Sequence, residues 1–442
     1  MPGLPSESPP EDGPLPASAG SERTEVAVGA APDRPSYRRT LRNRPFFLLW
    51  TAQLVSQSGD YIFEVALLWL VLEITGSAFA VAIVVTGTIL PAVVLGPFLG
   101  VFVDRWDRRR TLLATNVVQG LVVAGLSGLV IAGVTSLSVL FVIVLMLGSG
   151  ATVVRVATNA YVPSVVSTAD LSPANSLLSV SGSMNAILGL SLGGIFVALL
   201  GVAVPIEYDS ISFFAAAVLL LLIPRGSVAP APVAPPAPAA NGFRAEFSEG
   251  LSFIRAHRFM LEIIAIGIVV NFFGNGLAAM MAPYAAFVLH GGPAVYGFLG
   301  ACFAVGSLVG AGALGRVDTR RSAGRYLFGG GIASGAVVLG LGLVGSIPIA
   351  LALMIALGAG LAVTNIPISV LLQAKVPARL LGRVGAAFGA LVSATGPAGP
   401  IFAGWLAQHW SVAGVFLLCG MVFVVVIGAG ALTMTSLRSV HY

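Results

Sequence analysis

The sequence predicts an all-α integral membrane protein of about twelve transmembrane helices arranged as two six-helix pseudo-repeated halves. Three observations predict it. Hydrophobic residues make up 57% of the 442-residue chain and charged residues only 9%, too few charges for a water-facing surface of this size. From Phe46 onward the chain is a succession of apolar runs, each close to the ~20 residues that span a bilayer. Matching residues also recur between the first and second halves of the chain, as between Gly96 and Gly310.

The runs read as 46–74, 78–102, 111–132, 137–158, 174–198, 206–223, 259–288, 295–315, 326–344, 347–372, 384–405 and 412–434. Continuous apolar runs of this length lack the period-two alternation of a membrane barrel. The 54 glycines suit helices that must approach closely, because lipid supplies no hydrophobic drive for their association. Residues 1–43 read as a disordered cytoplasmic tail, rich in Pro, Ser and Glu from Pro2 to Pro16 and without the apolar core of a signal peptide. The first helix is then the membrane-targeting signal.

Basic residues set the orientation. With a cytoplasmic N-terminus, all 23 Lys and Arg fall in the tail, the inner loops, Arg155 at the inner end of the fourth helix, and Arg438. The outer loops have none, an alternation that a wrong helix count would break. The expected location is the plasma membrane, multi-pass, with both termini cytoplasmic.

The halves span 44–223 and 259–434, with a cytoplasmic linker at 224–258 and a C-terminal tail at 435–442. The linker opens with a Pro/Ala tract, Val228 to Ala240, that reads as an extended spacer. It continues with Phe243, Phe247, Leu251 and Ile254 at helical spacing among Arg244, Glu246, Glu249 and Arg255, the pattern of an amphipathic helix on the inner membrane face. The repeat pairs Gly96 with Gly310, Asp104 with Asp318, Asn159 with Gln373, Pro163 with Pro377 and Arg44 with Arg258, and brings Gly59-Asp60 to Gly274-Asn275. Parallel six-helix repeats build one large class of secondary transporter.

The loop after the second helix carries the most specific motif: Gly96, Gly100, Asp104, Arg105 and Arg108, with Asp318 as the repeat copy. It resembles the signature loop of the major facilitator superfamily, a gating latch in which the Asp pairs with an Arg or a helix N-terminus across the cytoplasmic seam. The bland reading is a basic loop that only obeys the topology rule. Within the superfamily the chain resembles the macrolide-efflux and enterobactin-exporter branch of drug:proton antiporters. The resemblance rests on Phe47-Leu48-Leu49-Trp50, Gln53 to Ser56, Gly59-Asp60 and Glu73 to Ser77 in the first helix and its end. It extends to Ala160 to Val166, Asp170 to Leu177, and Val376 to Val384. It implies export of drugs, antibiotics or secondary metabolites driven by proton entry. Two departures stand out: Leu190 replaces a Pro in the fifth-helix motif, and Thr158 stands where an Arg often follows the fourth-helix Ala, with Arg155 one turn earlier.

The best mechanistic lead is a stripe on the first helix. Gln53, Gln57, Asp60 and Glu64 fall on one face at 3.6-residue spacing. Intramembrane carboxylates normally face a cavity and mark a transport path. Asp60 lies near the bilayer centre, and Glu64 one turn further out. The alternative is a structural network in which Asp60 pairs with Arg155 or a helix terminus. Asn271 and Asn275 in the repeat mate of this helix are expected to line the same cavity; interhelical hydrogen bonding is their other reading. Asn185 and Asn365 are weaker candidates.

Enzymatic chemistry finds no support. His257, His290, His409 and His441 are scattered, and Cys302 and Cys419 are isolated, so neither a metal nor a cofactor is expected. Gly310 to Gly315 matches GxGxxG, but inside an apolar helix it reads as helix packing and not a dinucleotide loop. No GxxxxGK[ST] loop occurs, so the energy source is expected to be a gradient. The expected partners are a small-molecule substrate, protons and the lipid bilayer, without nucleic acid, on a protein that works as a monomer. The reading is a proton-coupled exporter working by alternating access. Its rivals are an importer on the same fold and a non-transporting receptor or scaffold.

Reporter fusions test the topology. Fusions after Arg110, Arg225, Arg325 and Arg383 should score cytoplasmic, and those near Gly133, His290 and Gly345 external. One robust inversion would overturn the helix count.

Overall fold

The structure is a computed structural model that describes residues 36–103, 106–224, 243–315, 323–377 and 379–434. Its helices are α1 (Tyr37–Arg42), α2 (Arg44–Thr75), α3 (Ala78–Val103), α4 (Arg108–Ile131), α5 (Leu137–Val165), α6 (Leu171–Leu200) and α7 (Ala203–Leu221). After the linker come α8 (Phe243–Ala256), α9 (Arg258–Ala279), α10 (Met281–Pro283), α11 (Pro293–Leu314), α12 (Ala323–Leu343) and α13 (Ile347–Lys375). The series ends with α14 (Leu381–Ser393), α15 (Ala398–His409) and α16 (Val412–Thr433). Among the described residues, eleven spans are long and apolar enough to cross a membrane, one of them running from Leu381 to His409. The 32-residue α2 is not among the eleven. It carries Gln53, Gln57, Asp60 and Glu64, yet it lies within the bundle against α6 and α7.

Local sequence places the helix ends. Asn43 caps α2, its side chain accepting from Phe46 N–H at 3.4 Å, and Gly76 ends that helix in the left-handed region at φ 61°, where a Cβ would be strained. Asp107 caps α4 by accepting from Arg110 N–H at 2.8 Å. Ser411 caps α16 in the same way.

The helix contacts repeat. In the first half α3 meets α5, and α4 meets α5 and α7; in the second half α11 meets α13, and α12 meets α13 and α16. The halves join along two seams that are also equivalent, α6 with α11 and α15 with α3. Close backbone approach makes these contacts. A Cβ on Gly194 would lie 2.7 Å from Pro293 O, and one on Gly404 3.1 Å from Phe79 Cα. Both sites are at the end of the bundle away from α1 and the close of α16. Inside the second half, a Cβ on Gly306 would collide with the Ile355 carbonyl, one on Gly358 with the Phe303 carbonyl, and one on Gly310 would lie 2.6 Å from Ala359 O. The GxGxxG stretch is thus a helix-packing surface.

Three features differ from the sequence expectations. Residues 36–43, assigned to the disordered tail, are ordered as α1 and its flanks, because Arg39 docks on Asp170. Its Nε donates to Oδ2 at 2.7 Å and its Nη2 to Oδ1 at 2.9 Å, while Asn43 donates to the Val165 carbonyl. The amphipathic helix α8 docks on protein: Glu249 pairs with Arg383, Gly250 abuts the Arg383 backbone, and Ile254 is buried with Met260 and Val384. Each half therefore ties the helix before its first span to a later segment of its own, with the charges reversed. The run 384–405 is not one helix. It breaks between α14 and α15 at 394–397, where Pro397 lacks the N–H that a continuous helix would use.

Gly306→Ala should force α11 off α13 and cost about 1–3 kcal/mol by overpacking. Gly312→Ala, where a Cβ meets open space, should be neutral. Thermal melting of the purified protein in detergent reads both, and equal melting of the two variants would refute the packing.

Candidate functional site

A cavity of about 790 Å³ lies between the halves. Its walls are Tyr61 and Glu64 of α2, Ser179 to Leu190 of α6, Val270 to Ala278 of α9, Tyr296 to Ala311 of α11 and Met354 to Leu361 of α13. Leu190 and Tyr296 form its blind end, beside the Gly194–Gly297 contact. Most of the lining is apolar, with hydroxyls from Ser179, Ser183, Ser307 and the tyrosines. Glu64 is the one ionisable carboxylate among these lining residues.

The α2 stripe is continuous, but its surroundings change along the helix. Gln53 is buried and donates from Nε2 to Thr158 Oγ1 at 3.1 Å, so it fastens α2 to α5 and does not reach the cavity. Gln57 faces α6, its Oε1 lying 3.6 Å from where a Gly182 Cβ would stand. Asp60 and Glu64 are both exposed, and neither makes a hydrogen bond or ion pair among the described residues. Gly189 receives the Tyr61 side chain and brings α6 against this stretch of α2.

The other sequence candidates are placed elsewhere. Arg155 is exposed and makes no ion pair among the described residues, so Asp60 has no pairing with it here. Asn275 donates to the Asn271 carbonyl at 2.7 Å, within α9. Asn271 Oδ1 is buried without a partner and points at the α14–α15 break, 3.3 Å from a Cβ on Gly396. On α9 it is Val270, Gly274, Leu277 and Ala278 that line the cavity, not either Asn. Asn185 donates to the Leu54 carbonyl at 2.9 Å. Gly96 meets open space where close packing was expected. Arg108 begins α4, and its neighbour Arg109 caps the end of α7 through the Leu220 and Leu221 carbonyls at 3.0 and 2.8 Å. Asp104, Arg105 and Asp318 lie outside the described residues, and Gly100 lies within the last turn of α3. Sequence reasoning passed over Tyr61, Tyr296 and Asp209. The last was visible as a carboxylate within the apolar run 206–223, two residues after Glu207.

Residues 36–441 match the family described as transmembrane secretion effector, a branch of the major facilitator superfamily. The chain belongs to that family. It is 26% identical over 417 residues to the multidrug efflux pump Tap of Mycobacterium tuberculosis, covering 90% of this chain and 96% of Tap. It is 24% identical over 390 residues to macrolide efflux protein A of Streptococcus pyogenes, covering 86% and 93%. Among solved structures, it superposes with TM-score 0.70 and 14% identity on an inward-facing, unoccupied bacterial homologue of the human lysosomal transporter Spinster, over 92% of this chain and 98% of that one. The fold is that of a major facilitator transporter, and the protein is a multi-pass membrane transporter with efflux pumps among its relatives.

Thiol labelling tests the geometry. In a Cys302→Ala/Cys419→Ala background, Tyr61→Cys and Glu64→Cys should react with a water-soluble maleimide, and Gln53→Cys and Asn185→Cys should be protected. Equal labelling of all four would show that the stripe does not change environment along α2.

Proposed function

We propose that this transporter is a proton-coupled exporter of amphipathic small molecules. The carrying observation is the pair of exposed, unpaired carboxylates on α2, of which Glu64 opens directly into a largely apolar cavity between the halves. Unpaired charge at this depth is costly and marks a transport path. The cavity walls suit a substrate with an apolar body, and its hydroxyls and one carboxylate suit a polar or cationic end. The efflux pumps among the relatives favour outward transport.

Alternating access supplies the cycle. The contacts at Gly194–Gly297 and Gly404–Phe79 close the end away from the termini, with the cavity beneath them. In the plasma membrane with cytoplasmic termini, this arrangement takes substrate from the inside. Rocking the halves opens the glycine seams, and the substrate leaves as Asp60 accepts an external proton. Return to the inward-facing state releases that proton to the cytoplasm. Asp60 is the principal carrier because its repeat mate Asn275 cannot titrate. Glu64 contributes at the substrate, and one monomer suffices for the cycle.

Asp60→Asn keeps size and hydrogen bonding but removes ionisation. It should abolish uphill transport in proteoliposomes under an imposed pH gradient, while substrate binding and energy-independent exchange persist. Glu64→Gln should reduce transport less. Uphill transport by Asp60→Asn would move the proton site to another carboxylate, and failure of that variant to insert would favour a structural network on α2.

A further inference from the structure

The cavity does not account for every carboxylate in the bundle. Asp209, about two turns into α7, is only 1% exposed. Its Oδ1 accepts from Ser212 Oγ at 3.3 Å, and its Oδ2 is buried with no hydrogen-bond partner among the described residues. Gly59 forms its seat against α2: a Cβ there would collide with both Ser212 Oγ and Asp209 Oδ1. Gly59 is the chain neighbour of Asp60. One backbone position therefore separates a water-exposed carboxylate on α2 from a dry one on α7.

No cation faces Asp209 from the helices around it. From α2 come Asp60 and, a turn further on, Glu64. Beyond Arg110 α4 carries no charge, and Arg109 is engaged at the far end of α7. No titratable residue occurs in α6. On α7 itself, Glu207 accepts from Ser127 at 3.3 Å, and the Tyr208 hydroxyl lies 3.4 Å from Ser58 Oγ. A buried carboxylate oxygen with no donor needs a proton of its own or a cation beside it. The repeat gives no counterpart: the 214-residue spacing that joins Gly96 to Gly310 joins Asp209 to Phe423.

We propose that Asp209 is a second proton-binding site of the transport cycle, exchanging with the cavity across the α2–α7 contact at Gly59. The proton passes between Asp209 Oδ2 and a carboxylate oxygen of Asp60. When Asp209 takes it, Asp60 is left ionised; when Asp209 returns it, the charge moves to α7 and Asp60 is neutral. The charge seen by the substrate can then change without a proton leaving the protein. The proposal rests on the reading of Asp60 as a proton carrier.

The experiment is infrared spectroscopy of the reconstituted full-length protein as a function of pH, combined with pH-driven transport. Wild type should show the carbonyl stretch of a protonated carboxyl at neutral pH, and isotope-labelled aspartate should shift that band. The band should vanish in Asp209→Asn and survive in Asp60→Asn. Ser212→Ala removes the hydroxyl that Asp209 Oδ1 shares with the Asp209 carbonyl, at 3.3 and 2.8 Å, and should shift the band in a folded protein, which keeps the test valid if Asp209→Asn does not fold. Asp209→Asn should slow pH-driven transport about a hundredfold with substrate binding in detergent unchanged. Persistence of the band in Asp209→Asn would overturn the proposal, as would wild-type transport by that variant or a sodium requirement in place of a protonated carboxyl. If Asp60→Asn kept pH-driven transport while Asp209→Asn lost it, the reading of Asp60 would fail and Asp209 would stand as the proton site.

Discussion

In a bilayer the apolar side chains of this protein gain little by leaving lipid for one another, so the helices must be held by close contact. Glycine makes that contact possible. At Gly306, Gly310 and Gly358 the backbones of α11 and α13 touch directly, and at Gly194, Gly297 and Gly404 the two halves do the same. The first set sits inside one half and makes it a rigid unit. The second set sits at one end of the interface between halves. The same chemistry thus packs helices inside one half and joins the two halves to each other.

Against this apolar frame the ionisable groups are unevenly divided. Asp60, Glu64 and Asp209 all belong to the first half, and the corresponding second-half positions hold Asn275, an Ala and Phe423. Duplication supplied two copies of a helical scaffold, and the carboxylates occur in one copy alone. The second half instead supplies apolar wall, through α9, α11 and α13. The cavity therefore has its one carboxylate, Glu64, on the first-half wall and a largely apolar lining on the second.

The terminus side is tied differently. Arg39 on Asp170 and Glu249 with Arg383 fasten each pre-span helix to a later segment of the same half, with opposite polarity. Both pairs act within a half and neither bridges the two halves.

By itself the sequence determined the class, the helix order, the two-fold repeat and the family, because bilayer thickness fixes the length of an apolar run and a repeat is a property of order alone. It also singled out Asp60 and Glu64, since charge inside such a run stands out wherever the helix lies. Only the tertiary structure decided what each polar residue faces. Gln53 shares a stripe with Glu64 but ends against Thr158, and Asn271 turns to the break at Gly396. Asp209, a carboxylate near the start of its run, is set against Gly59 on a helix some 150 residues away. Those outcomes depend on which helix lies beside which, and a periodic pattern along one helix carries no information about its neighbours.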